Sequence, residues 1–233
     1  VLNDTGNNAW NATWWSSKEG HTADSGLDTG VPHPIEYFGF RRIVLLGSRN
    51  KLHTISRTTD TQNDTSAVNR LVFPKDLQAR HILTTSNRAW VLLSHLYGGN
   101  GKVAEWDGFS ETYNEIYDIN ASVPLSGVNY KETPIILNNR GQFLEFNGGG
   151  FAQMVRNGQT VALPVAEEAG GLVTDVAPRG MTVGEDGNIY VNVRHSGATG
   201  TAGTSSYKQA SGIWCLNPIS GRLYNKHAIG GWD

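Results

Sequence analysis

Gly101-Lys102-Val103-Ala104-Glu105-Trp106-Asp107-Gly108 decides the fold, because the chain says it again. It returns as Gly141-Gln142-Phe143-Leu144-Glu145-Phe146-Asn147-Gly148 and, more loosely, as Gly212-Ile213-Trp214-Cys215-Leu216-Asn217-Pro218. Each copy opens on glycine, alternates apolar side chains up to a large one, and then sets Asp or Asn at the head of a turn. A degenerate phrase returning every few tens of residues marks a repeat architecture.

Reading outward, each phrase is preceded by a second strand-like run: Ala89-Trp90-Val91-Leu92-Leu93, Thr133-Pro134-Ile135-Ile136-Leu137, and Asn188-Ile189-Tyr190-Val191-Asn192-Val193. A further short run lies before each of these, at 80–84, 124–128 and 180–183, and a fourth follows the phrase at 113–117, 151–155 and 223–227. Short alternating runs between Gly, Asn and Asp turns are the strand and hairpin signal. The unit is four antiparallel strands, and a degenerate copy fits upstream at 35–38, 42–46, 51–55 and 67–73. The units span about 35–75, 76–120, 121–160 and 172–228, and their third strands are anchored by Ile55, Trp106, Phe146 and Leu216.

Four-stranded units at this spacing predict an all-β chain built as a β-propeller with four visible blades, standing alone or as part of a larger ring. A lone four-stranded sheet exposes two faces, and stacking blades about an axis covers both. Trp106 and Phe146 are expected as equivalent core positions between blades. Asp107, Asn147 and Asn217 are expected to set the turns that follow, since short polar side chains bond their own backbone. A β-sandwich shares the short strands and polar turns but does not predict the returning phrase.

Residues 1–34 read differently. They hold Trp10, Trp14 and Trp15 in a polar, period-free stretch, an irregular arm expected to dock its rings on the propeller's side or on a neighbouring subunit. A start at Val1, with no signal-like segment, reads as a processed chain or a piece of a longer one. The ring is expected to be completed by sequence outside the chain or by residues 1–34.

The composition agrees: 28 glycines, 17% charged residues and 38% hydrophobic residues in 233 favour strands and turns around a sizeable core. A formal net charge of −2 gives no electrostatic reason to expect nucleic acid, and the apolar runs are too short for membrane insertion by a helix. The one cysteine, Cys215, cannot form an internal disulfide and reads as small apolar filler within a strand.

No catalytic signature stands out. His-Glu-x-x-His, Gly-x-Ser-x-Gly, phosphate-loop and calcium-loop patterns are absent, so no catalytic residue, metal or cofactor is expected. Gly98-Gly99-Asn100-Gly101-Lys102 resembles a phosphate cradle at first glance, but it feeds a strand and reads as a hairpin loop. Glu105 and Glu145 occupy the same place in two copies, which points to a repeated structural contact rather than a unique acid. The other carboxylates weighed, Asp107, Asp175, Glu167 and Glu168, carry no stronger signal.

The connections between second and third strands differ in length. They are short at 47–50 and 138–140 and long at 95–100 and 194–211. In a propeller they emerge on one face, so His95, Tyr97, Arg194, His195 and Tyr207 are the binding candidates.

The stretch from Gly101 to Asn114, preceded by Phe73-Pro74-Lys75-Asp76-Leu77-Gln78-Ala79-Arg80, resembles propeller-like repeat proteins of tailed bacteriophages. Leu216-Asn217-Pro218-Ile219-Ser220-Gly221-Arg222-Leu223 also resembles a turn of quinoprotein-type propellers, a hairpin that carries no cofactor chemistry by itself. The phage resemblance implies a non-enzymatic virion component, tail- or capsid-associated, with other virion proteins or its own copies as partners. The alternatives are a propeller that binds a host-surface glycan or receptor, in an extracellular setting, and a carbohydrate-active propeller enzyme.

Overall fold

A computed structural model describes residues 34–57, 65–119, 123–163, 176–195 and 212–228. These residues form four antiparallel sheets of four strands, each strand hydrogen-bonded to the next in chain order. Sheet 1 is β1 (Ile35–Phe38), β2 (Ile43–Ser48), β3 (Lys51–Arg57) and β4 (Thr65–Val72). Sheet 2 is β5 (Leu77–Thr84), β6 (Ala89–His95), β7 (Lys102–Trp106) and β8 (Glu115–Asp118). Sheet 3 is β9 (Pro124–Tyr130), β10 (Thr133–Asn138), β11 (Phe143–Phe146) and β12 (Phe151–Gln153). A short hairpin follows, β13 (Val155–Arg156) and β14 (Gln159–Thr160), and then sheet 4: β15 (Val176–Val183), β16 (Ile189–His195), β17 (Gly212–Leu216) and β18 (Leu223–Ala228).

The first strands meet in sequence, β1 against β5, β5 against β9 and β9 against β15. The four sheets therefore turn about one axis with their first strands innermost. The protein is a β-propeller, and each sheet is a blade.

Three apolar layers fill the gaps between blades. Phe38, Leu45, Leu52, Leu71, Val91, Leu93 and Trp106 pack between sheets 1 and 2. Leu83, Trp90, Leu92, Val103, Ile136 and Leu144 pack between sheets 2 and 3, and Ile135, Leu137, Phe143, Val191, Trp214 and Leu216 between sheets 3 and 4. Alternate residues of β6 enter different layers, which is why its sequence is an almost unbroken apolar run.

The repeated phrase has one orientation in all three copies. Trp106, Phe146 and Leu216 each face the preceding blade, while Glu105, Glu145 and Cys215 share the opposite face. Trp106 is 1% exposed, whereas Phe146 is partly buried in a cluster with Trp90, Tyr117 and Phe151. Ile55 lies in β3 opposite Val44, and its side chain lies outside the described residues.

The expected turns form. Asp107 Oδ1 accepts the backbone N–H groups of Phe109 and Ser110 at 2.8 and 2.9 Å. Asn217 Oδ1 accepts those of Ile219 and Ser220 at 3.1 and 2.9 Å, and Asn147 Oδ1 accepts that of Gly149 at 3.1 Å. Gly108 has a φ of 84°, and a Cβ there would lie 2.6 Å from Phe38, so glycine is required twice over.

Two expectations need correction. The run at 151–155 is not one strand: it breaks at Met154, whose N–H donates to the Phe143 carbonyl, and re-forms as the β13–β14 hairpin. Asn157 and Gly158 at its tip have φ values of 52° and 75°, the left-handed pair that a two-residue hairpin turn demands. His95, Arg194 and His195, placed by sequence in loops, are the last residues of β6 and β16. His95 pairs with Leu77 and His195 with Val176, so the two histidines do occupy one structural place. Their numbering slips against the first strands because the turn before β16 is one residue longer than the turn before β6.

Candidate functional site

The candidate contact tip lies between β6 and β7. The His95 Nε2 lies 2.9 Å from the Asp76 carboxylate, at the entry to β5, and its Nδ1 accepts the Tyr97 backbone N–H at 3.1 Å. An imidazole nitrogen that accepts from an N–H carries no proton, so Nε2 is the donor toward Asp76. The Leu96 N–H donates to the Asp76 carbonyl at 2.8 Å, closing the turn. Gly99 lies over the ring, where a Cβ would approach His95 to 2.6 Å, while Gly98 takes a φ of 80°, the left-handed region that favours glycine. His95 is therefore a pin with both ring nitrogens engaged. What it presents is Tyr97, 81% exposed, with its ring edge-on to the imidazole, and half-exposed Leu96 beside it.

Of the other candidates, Arg194 and His195 close β16 with side chains outside the described residues, and Tyr207 lies outside them altogether. The structure brings together His95 and Tyr97 and adds Asp76, which sequence reasoning did not single out as a partner.

A second feature, an axial cavity of about 320 Å³, was not foreseen. It is lined by Glu36 of β1, His81 to Thr84 of β5, Gly127 to Asn129 of β9 and Met181 to Val183 of β15, so all four innermost strands contribute. The His81 Nε2 donates to the Gly127 carbonyl at 2.9 Å. Burial pushes the His81 pKa down, against the opposing effect of that carbonyl, and favours the neutral ring. Burial pushes Glu36 up, partly offset by the Tyr37 N–H. The Asn129 amide donates to the Thr84 carbonyl at 2.9 Å, while its buried Oδ1 has no hydrogen-bond partner. The only signal for this lining was a polar residue, His81 or Asn129, inside a first strand.

The repeated glutamates are spent on structure. Glu105 takes Arg88 on one oxygen and the Tyr117 hydroxyl on the other, both at 2.8 Å. Burial and that carboxylate push the Tyr117 phenol well above its usual range. Glu145 is held by Arg156 through both terminal nitrogens, which raises the pKa of the guanidinium further. Asp107 is raised by burial but held far lower by the Ser110 and Phe109 N–H groups, the Ser110 hydroxyl and the Asn114 amide. Among the described residues no group of three His, Cys, Asp or Glu side chains gathers to hold a metal.

No protein-family model matches the chain, and no curated protein sequence does. Solved structures do. The extracellular domain of a one-component system from B. thetaiotaomicron superposes with a TM-score of 0.50 at 13% identity, over 88% of this chain and 26% of that one. BamB from Moraxella catarrhalis gives 0.49 at 15% identity, over 78% and 48% of the two chains. YCF48 from Cyanidioschyzon merolae gives 0.45 at 13%, over 82% and 65%. The chain thus spans about a quarter and about half of the first two. At these identities the likeness bears on the fold alone.

Proposed function

We propose that the chain is a non-catalytic interaction propeller that meets protein partners through the face carrying the β6–β7 tip. The observation behind this reading is Tyr97, four-fifths exposed on a turn fixed by the His95–Asp76 pair. A rigidly mounted, amphipathic ring loses little freedom on contact, which is why tyrosine anchors interfaces. The repeated carboxylates support it too, since Glu105 and Glu145 are occupied by Arg88, Tyr117 and Arg156. The proposed setting, on the phage-like phrase, is a tailed-phage-like virion, with other virion proteins or further copies of this chain as partners.

The second reading, glycan recognition in an extracellular setting, is favoured by the same ring, because exposed aromatics also stack on sugars. A glycan array and a polysaccharide digest separate the readings. The interaction reading expects no glycan retained and no polysaccharide cleaved. Binding abolished by Tyr97→Ala would install the glycan reading, and turnover lost on Glu36→Gln would install an enzyme.

A further inference from the structure

We propose that the axial cavity is a binding site for a small primary ammonium ion carried on an apolar stem. Three features of its wall point to that chemistry.

The first is the hydrogen-bonding balance, in which donors are engaged and acceptors stay open. The His81 Nε2–H goes to the Gly127 carbonyl at 2.9 Å, so the neutral ring keeps a bare lone pair on Nδ1, which meets no donor among the described residues. The Asn129 amide gives one N–H to the Thr84 carbonyl at 2.9 Å and turns toward Glu132 Oε1 at 3.4 Å, which leaves its Oδ1 as an unpartnered acceptor. The lining side chains left with a proton to offer are the hydroxyls of Thr84 and Thr182.

The second is charge. Among the described residues Glu36 is the one charged side chain on the lining. It shares a sheet face with Leu45, its fully buried cross-strand partner, and so points inward rather than to the rim. Its carboxyl takes the Tyr37 N–H, burial pushes its pKa up, and no Lys or Arg among the described residues pairs with it. A partly desolvated carboxylate without a cation is stabilised by one that enters beside it. Glu132, reached through Asn129, places a second carboxylate behind the wall, so an anion is disfavoured there. An ammonium supplies a compact positive charge and three donors together.

The third is size and lining. Ile82, Leu83, Val128, Met181 and Val183 form the rest of the wall, a surface for a short carbon stem. The volume of about 320 Å³ lies at the small end of ligand sites, which run from about 300 to 1,000 Å³. Thr182 and Val183 are exposed, so the cavity opens to solvent along β15. It lies at the ends of β5, β9 and β15 that lead into the turns before β6, β10 and β16, whereas the Tyr97 tip lies at the opposite end, where His95 pairs with Leu77. The site is separate from the proposed contact face, and either reading can fail without the other.

The test is a calorimetric titration of the full chain at pH 7 with cyclohexylammonium, with cyclohexanol and cyclohexanecarboxylate as matched neutral and anionic probes. The cation should bind saturably and the matched probes should not. Glu36→Gln should weaken the cation at least tenfold, while Glu115→Gln, at an exposed carboxylate on the outer strand β8, should leave it unchanged. Thr182→Trp, at an exposed position, should plug the cavity and abolish binding in a chain that melts as wild type does. Three results overturn the proposal: no saturable binding of the cation, equal binding of either matched probe, or an affinity that Glu36→Gln or Thr182→Trp leaves untouched in a folded chain.

Discussion

Arg156 holds Glu145 end-on, with its terminal nitrogens 2.8 and 2.7 Å from the two carboxylate oxygens. The same guanidinium donates its Nε to the Pro218 carbonyl at 2.8 Å, 62 residues further along the chain. Gly221 leaves room for the Arg156 stem, since a Cβ there would lie 2.6 Å from it. The β13–β14 hairpin thus rivets blade 3 to the turn of blade 4. Both partners are about a quarter exposed, so solvent screening reduces the pair's worth. Arg156→Ala is expected to cost about 1–3 kcal/mol, because it orphans a carboxylate and a carbonyl together. Arg156→Lys should recover only part of this, lacking the paired donors. Urea denaturation of both variants checks the order.

Trp106→Ala is expected to cost about 3–5 kcal/mol, the range for truncating a fully buried aromatic ring. The ring fills the layer between blades 1 and 2, and its indole N–H donates to the Ser110 carbonyl at 2.7 Å. Phe146→Ala should cost less, because Phe146 holds the same place in blade 3 but is only partly buried. Equal losses, measured as shifts in denaturation midpoint, would contradict the difference in packing.

His81 makes stability depend on pH. Its folded pKa lies below the unfolded value of about 6.5, because burial disfavours the imidazolium. The unfolded chain therefore binds the proton more readily. The contribution is whole above about pH 6.5 and is lost as pH falls from there toward the folded pKa. Wild type should lose more stability between pH 7 and pH 5 than His81→Gln does. Parallel pH curves for the two would remove His81 from this role.

Cys215 is 1% exposed in β17, at the position Glu105 and Glu145 hold in the other copies. A thiol so enclosed should resist a thiol reagent in the native protein and react at once in denaturant. Cys215→Ser should leave binding intact. Rapid native labelling would show that blade 4 opens far more readily than its packing implies.

How far the sequence could be read follows from where each interaction lies along the chain. The phrase around Trp106 exposed the blades because a strand and its Asx turn are local, and the same pattern recurs at Phe146 and Leu216. The β13–β14 hairpin was legible in Asn157-Gly158, a strong turn signal, yet the run at 151–155 absorbed it. Its role was not legible at all, since Arg156 finds Pro218 only after two blades stack. His95 looked like a loop residue because its pairing with Leu77 and its bond to Asp76 reach back to the start of β5, out of sight of its own neighbours. The axial lining of Glu36, His81 and Asn129 gathers residues from separate blades, and no local period announces an axis.

If the proposed virion setting holds, the most direct test of the contact face is the incorporation of Tyr97→Ala into purified particles, counted as copies per particle. Phe109→Ala serves as control, an exposed ring on the separate connection between β7 and β8. The interaction reading expects a folded Tyr97→Ala chain, melting as wild type does, that falls at least tenfold in copies while Phe109→Ala stays near wild type. Full incorporation of Tyr97→Ala, or loss confined to Phe109→Ala, would contradict it.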